Sequence, residues 1–433
     1  MSKSRQELAL YALEALKKAG ADKAACKVTR SRKEEFNIEA NKFSLLRTLF
    51  NDELYLKALI GGKKGVVSVN KLDKDSIDKA VDDCATLAKS ATPDEAEDIA
   101  EKAENKAFSR NIGGSDMASL FSRTKEFLEQ SKDEFPKIIF ESMASEFTAS
   151  ETTYVNSNGV EFNDERECYS YGPMFSAKDG EKSSSFNYTG STLTRLDKPF
   201  MDIGLMRALL DESVRSLDTR MVEEKFVGKV IVAPTCDDMI WDTLLYSFLG
   251  DGSLIEGTSR WKDSLGEKVA DSKLTMRLAP LHPSIVGGER FTPDGFEAQN
   301  TDLIRDGVLN SFALSLYGSK KVGKPRALCS SFALEIAEGD TSLADMIKSV
   351  DKGILLGRFS GASPGASGDV SGVAKNSFLI ENGAITDAIS ETMVSFNVVD
   401  ILQNILSISK ERNEDGSSLL PWCLFDGITV SGK

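Results

Sequence analysis

The chain has 433 residues, 41% hydrophobic and 28% charged. These are ordinary globular values, so wholesale disorder and fibrous structure are excluded, and the length predicts two or three domains with a sizeable core in each. Lys and Arg number 53 against 67 Asp and Glu, a formal charge of −14. Such a surface repels a phosphate backbone, so neither DNA nor RNA is an expected partner.

No stretch approaches the roughly 20 apolar residues of a membrane helix. Met1 to Glu7 leads straight into an amphipathic pattern without a signal core, so the expected address is the cytoplasm. Six cysteines at 26, 84, 168, 236, 329 and 423 lie too far apart for a C-x-x-C or a tight disulfide framework, and are expected as free buried thiols. There is one histidine, His282 in Leu281-His282-Pro283. With no second imidazole, the chain has little capacity for histidine triads or imidazole–metal sites, and His282 is expected to be a loop residue.

In chain order, Ser4 and Glu7 fit a capping box. Leu8, Ala12, Ala15, Leu16 and Ala19 follow as one helical stripe, with Gly20 at its end. Short β-type runs come next: 25–30, 35–39, 44–50, 54–60 and 66–69. Asn51-Asp52 and Gly61-Gly62 read as turns among them. A second helix carries Ile77, Val81, Cys84 and Ala88. The acidic, alanine-rich stretch 91–115 reads as a solvated helical connector.

A helix is expected over 116–132, then a β meander with turns at Asn158-Gly159 and Asp179-Gly180, a returning strand over 183–188, and a helix near 201–217. Val227 to Ala233 reads as a buried strand, followed by helices over 236–249 and 343–351. Hairpins are expected at Asp306-Gly307 and Asn382-Gly383. The predicted fold class is α+β: an N-terminal α+β module over 1–110, a second over 111–225 with a β meander, and a mostly β domain over 226–433.

Several motifs fail on context. Gly361-Ala362-Ser363-Pro364-Gly365 matches G-x-S-x-G, but the Gly/Ser residues after it cannot start the helix of a nucleophile elbow. Gly361, Gly365 and Gly368 do not have the spacing of a dinucleotide cradle, and Gly61 to Gly65 is not a P-loop. The carboxylate pairs Asp82-Asp83, Glu223-Glu224 and Asp237-Asp238 read as solvated faces and helix-terminal charge. After Val227–Ala233, Thr235 can cap a helix with Asp238 at its third position. Met239, Ile240, Leu244, Leu245 and Phe248 can face the core, and Gly250 can end the helix.

That strand and helix, Thr292-Pro293-Asp294-Gly295-Phe296 leading to Leu303 to Leu309, Phe378 to Gly383, and Asp426 to Gly432 follow one another in a set order. In this the chain resembles the TldD/PmbA family, on the PmbA/TldE-like branch, over nearly its whole length. The family is described as a modulator of DNA gyrase and as a two-subunit metallopeptidase. In its TldD-type subunit, the helix ends in His-Glu-x-x-x-His, and a later cysteine completes the zinc site. On a regular helix positions i and i+5 lie about 140° apart, so two such ligands share a metal only where the helix unwinds.

Anchored on Leu244-Leu245 and Gly250, the resemblance places Tyr246, Ser247 and Asp251 at the His, Glu and second His positions. The stretch where the cysteine is expected, 407–416, holds none, and Cys423 falls in the final strand. The resemblance therefore implies a chain with no zinc site and no catalytic residue, inactive alone. It further implies a TldD-like partner that supplies zinc and general base, a dimer enclosing a chamber, and unfolded peptides as substrate. Gly361, Gly365 and Gly368 are candidates to offer backbone groups to an extended peptide, the alternative being a disordered surface loop. Two other functions remain open: a regulatory binding protein acting on gyrase or a toxin–antitoxin pair, and a hydrolase using carboxylates and an unusual metal.

Overall fold

The structure, a computed structural model, describes residues 4–236, 238–362 and 364–432. Helix α1 (Arg5–Lys18) starts at the expected capping box: the Ser4 N–H donates to the Glu7 carboxylate, and the Ser4 hydroxyl accepts from the Glu7 N–H. Gly20 follows at φ 101°. Strands β1 (Lys23–Glu39), β2 (Lys42–Ile60) and β3 (Lys63–Val69) lead to helix α2 (Lys74–Ser90).

The short β runs are two long strands. β1 and β2 pair without a break from Lys23↔Leu59 to Ser31↔Asn51, so the turn expected at Asn51-Asp52 is absent. The reversal falls at Ala40-Asn41, at φ 48° and 64°. Ladder bonds from β1 outweigh the turn preference of Asn-Asp, and a two-residue turn with positive φ matches strand twist.

Residues 91–115 are not a helical connector. They run irregularly along the sheet and contribute β4 (Lys106–Arg110). Their acidic groups are bound to the sheet: Lys57 pairs with Glu97 and Lys23 with Asp98, while the Asn156 and Asn158 amides donate to the Ala100 carbonyl. Helix α3 (Met117–Glu134), strands β5 (Ile138–Asn156) and β6 (Glu161–Asp179) and helix α4 (Met206–Arg215) follow. Turns at Gly159 and Gly180 form as expected, at φ 91° and 59°. The strand expected over 183–188 shrinks to two short pairings with β6.

These elements share one sheet, ordered β3-β2-β1-β5-β6-β4. β1 and β5 pair in constant register from Ala25↔Asn156 to Glu39↔Ser142. The stretches 1–110 and 111–225 are therefore interleaved rather than separate modules. Helices α1 and α2 cover Cys26, Val28, Leu54 and Leu56 at one end of the long strands. Helices α3 and α4 join a second core with Phe36, Ile38 and Phe140 at the other.

The C-terminal half builds a second, larger sheet. Its centre runs through β7 (Phe226–Val232), β8 (Lys352–Leu356), β9 (Arg358–Gly361), β10 (Asp369–Lys375), β11 (Ser377–Glu381), β12 (Ala384–Ser390), β13 (Met393–Asn397) and β14 (Leu419–Ser431). The main order is β12-β11-β8-β7-β14, with β9 on β10 and β10 on β13. Hairpins at Asp306-Gly307 and Asn382-Gly383 form with positive φ at all four residues, as their sequence predicts.

The N-terminal sheet turns its other face to this half. Phe162 stacks on Phe291 at 5.4 Å, and the Tyr154 hydroxyl donates to the Asp294 carbonyl at 3.1 Å. Gly295 lies at φ 93°, where a Cβ would sit 2.5 Å from the Tyr154 ring, so Thr-Pro-Asp-Gly-Phe requires its glycine. No helix among the described residues is long and apolar enough to cross a membrane.

Candidate functional site

The site is carried by the segment after β7. Val230, Ile231 and Val232 are buried, and the chain passes into helix α5 (Asp238–Thr243). The Thr235 hydroxyl, the expected cap, donates to the Gly357 carbonyl at 2.8 Å. Residue 237 and the Asp238 side chain lie outside the described residues, and with them the Asp237-Asp238 pair and the expected third-position cap. Ser363 of the G-x-S-x-G match is likewise outside. Met239, Ile240, Leu244, Leu245 and Phe248 are all buried, as their spacing predicts.

From Leu244 to Leu249 the helix widens into a π-helix, and Gly250 then breaks it in an extended conformation before helix α6 (Asp251–Ile255). Single π turns inside helices are frequent at functional sites. This one lies where two ligands five positions apart require unwinding.

Tyr246, Ser247 and Asp251 are not gathered there into a ligand set. Tyr246 is 59% exposed and packs edge-on against Phe332, ring centroids 5.2 Å apart. The Ser247 hydroxyl reaches the Pro364 carbonyl at 3.5 Å. The Asp251 carboxylate accepts from the Ser315 N–H at 2.9 Å and from the Ser315 hydroxyl. Ser315 caps helix α7 (Leu316–Val322), its hydroxyl accepting from the Gly318 N–H at 3.1 Å. A Cβ at Gly318 would lie 1.9 Å from Asp251 Oδ1. The carboxylate is wedged against a helix start and committed to holding it.

Tyr246 divides two clefts. One, of about 380 Å³, lies between Asp242, Ser247 and the β9 residues Phe359, Ser360 and Gly361. The other, of about 350 Å³, lies between Asp251, Ser315, Cys329 and Phe332. Phe332, Phe359, Asp242 and Cys329 escape sequence reasoning because they come from segments far apart in the chain. Burial pushes the Cys329 thiol up to about 11, so it stays protonated at neutral pH.

The Gly/Ser stretch is an ordered hairpin over much of its length, not a disordered loop. β9 pairs with β10 from Arg358↔Lys375 to Gly361↔Gly372. Added Cβ atoms at Gly361 and Gly372 would meet the Phe359 ring at 2.6 and 2.4 Å, so the two glycines make room for that ring. Gly365 and Gly368 shape the connection: the Gly368 N–H donates to the Gly365 carbonyl at 3.0 Å, and the Gly368 carbonyl accepts from Val398. Among the described residues β9 pairs only with β10, which leaves its other edge on the cleft.

Residues 227–432 match the family model described as the PmbA/TldA metallopeptidase C-terminal domain. The C-terminal part of the chain thus matches a PmbA/TldD-family domain, and the relatives below extend the likeness toward the N-terminus. The chain is 21% identical to a Haemophilus influenzae metalloprotease PmbA homolog over 98% of this chain and 95% of that protein. It is 26% identical to the Escherichia coli O157:H7 metalloprotease PmbA, over 57% of this chain and 56% of that protein. That second alignment thus spans about half the length of the relative. The fold is that of TldE from Thermococcus kodakarensis, with TM-score 0.86, 19% identity, 98% of this chain and 100% of that one covered. It is equally that of a Bacteroides thetaiotaomicron protein described as a candidate modulator of DNA gyrase, with TM-score 0.86, 22% identity and both chains fully covered.

Zinc, which the metallopeptidase name of the matched domain implies, does not fit the residues present here. Tyr246 offers a phenol, Ser247 a hydroxyl and Asp251 a carboxylate already hydrogen-bonded twice. Cys423 sits in β14 opposite Val232. His282 lies in a turn, its Nδ1 accepting from the Ser284 N–H at 3.1 Å. No group of three or more His, Cys, Asp or Glu able to hold a metal occurs among the described residues.

Proposed function

We infer that this chain is the non-catalytic, PmbA/TldE-like subunit of a cytoplasmic metallopeptidase complex acting on unfolded peptides. A TldD-like partner supplies the zinc and the general base. The observation that carries this reading is Asp251: the side chain at a ligand position of the family motif is spent on Ser315. An aromatic at the first such position, exposed between two clefts, suits contact with peptide rather than metal. The edge of β9 beside it, on which no second strand pairs among the described residues, supports a peptide bound by strand addition, main chain to main chain, with side chains seated in the clefts.

The test is reconstitution. The pure chain is expected to hold no stoichiometric zinc and to leave an unfolded peptide uncut, since water needs a metal or base to become a nucleophile at neutral pH. Cleavage is expected once a zinc-bearing TldD-like chain is added. It should survive Tyr246→Ala in this chain at reduced peptide affinity, and vanish when the partner's general base is replaced. Zinc near one per chain, or cleavage by the isolated chain in chelator, overturns the reading. A second reading, a regulatory protein acting on gyrase or a toxin–antitoxin pair, draws on the likeness to the Bacteroides gyrase-modulator candidate. The charge of −14 then favours a protein target over DNA.

A further inference from the structure

The cleft on the Asp251 side of Tyr246 differs from its neighbour in what lines it. Its apolar wall is made by Leu245, Leu278, Ala313 and the rings of Tyr246 and Phe332. Leu245 and Leu278 are buried, while Tyr246 and Phe332 keep 59% and 48% of their surface in solvent. The exposed Tyr246 apart, the polar side chains of the lining are already engaged. Both oxygens of Asp251 accept from Ser315, and the Ser315 hydroxyl accepts in turn from the Gly318 N–H. The Ser330 hydroxyl donates to the Glu289 carboxylate at 2.6 Å. The Cys329 thiol, protonated at neutral pH, lies 3.6 Å from the Thr301 hydroxyl.

A cleft whose polar groups are spent cannot replace the water that a charged or amide side chain gives up on entering. It gains by taking apolar surface out of water. Its volume, about 350 Å³, is at the small end for ligand sites and suits one large side chain rather than a folded segment. We propose that this cleft is a specificity pocket for one large apolar side chain, aromatic or leucine-like, of an extended peptide whose main chain lies along β9.

The inference rests on the reading of this chain as a peptide-binding subunit and adds a sequence preference to it. The Tyr246 and Phe332 rings, packed edge-on at 5.2 Å, offer a third ring the tilted contacts that aromatic side chains favour. Asp251 does not turn the pocket toward lysine or arginine. Both its oxygens are held by Ser315, and a cation would leave water for walls that are otherwise apolar. The preference is carried by side chains of this chain, so it is visible without a partner.

The experiment is fluorescence anisotropy of the full chain with a labelled, unstructured Ser/Thr/Gln host peptide carrying Phe, Leu, Ala, Lys or Glu at one central position. The Phe and Leu peptides should bind about tenfold or more tighter than the Ala peptide, and the Lys and Glu peptides no tighter than Ala. Ala313→Phe, which fills the cleft, should bring the Phe peptide down to the affinity of the Ala peptide. Phe332→Ala removes an exposed side chain and should narrow the gap several-fold with an unchanged circular dichroism spectrum. Equal binding of all five peptides overturns the pocket and leaves the peptide-binding reading standing. No binding by any of them overturns both. A Lys peptide that binds tightest, or a Phe preference indifferent to both variants, also overturns the pocket.

Discussion

At position 251 an acidic side chain stands where the resemblance places a metal ligand, and the surrounding atoms show what it does here. Asp251 binds the Ser315 backbone and hydroxyl, and Gly318 leaves just enough room for it. Asp251→Ala is expected to lower stability by about 1–2 kcal/mol through the weakened start of α7, measured by denaturant titration, with the zinc content of the pure chain unchanged. Glu212 in α4 makes a different kind of prediction. Desolvation pushes its carboxyl up to about 7, against weaker opposition from Arg215. The unfolded chain ionises Glu212 near pH 4.5 and the folded chain does not, so this group destabilises the fold increasingly as pH rises from 4.5 to 7. Glu212→Gln should flatten that part of the stability–pH curve, and thermal melts across the range would show it.

Among the elements, helices with a cap and an apolar stripe were legible in the sequence: α1 begins at its capping box and α3 starts within a residue of expectation. Turns that require positive φ were legible too, at Gly159, Asp306-Gly307 and Asn382-Gly383. The π turn over Leu244–Leu249 was not, because the same apolar spacing suits an ordinary helix. Nor was the β9–β10 hairpin, whose glycines resemble a disordered loop until Phe359 is seen lying over Gly361 and Gly372. That packing predicts that Gly372→Val displaces Phe359 and reshapes the cleft while the rest of the fold persists. In the reconstituted assembly it should weaken peptide binding several-fold with zinc retained, as peptide titration would read.

Across the whole molecule, the two halves are joined by polar contacts around β4. Arg110 donates to Asp164 at 2.6 Å and to the carbonyl of Gly288 at 2.6 Å, while Arg166 donates to Gly287 at 2.9 Å. Arg110 and Asp164 are both largely buried, with side-chain exposures of 17% and 18%. Arg110→Ala leaves Asp164 without its cation and should cost about 3 kcal/mol, seen as a lower denaturation midpoint. A double variant that also carries Asp164→Asn should recover part of the loss, because the stranded charge is gone.

The amino-acid sequence by itself determined what local chemistry can settle: α+β composition, the cap of α1, the tight turns, and a strand from Val227, of which the structure buries Val230 to Val232 and leaves Val227 exposed. The tertiary structure alone decided which strands became neighbours. It merged the stretches before residue 225 into one sheet, because β1 and β5 meet in a register that depends on partners more than 100 residues apart. It drew the acidic stretch after residue 91 out of a helix, because Lys23 and Lys57 of the sheet hold Asp98 and Glu97. And it made Asp251 a structural brace, because Ser315, distant in the chain, is folded against it.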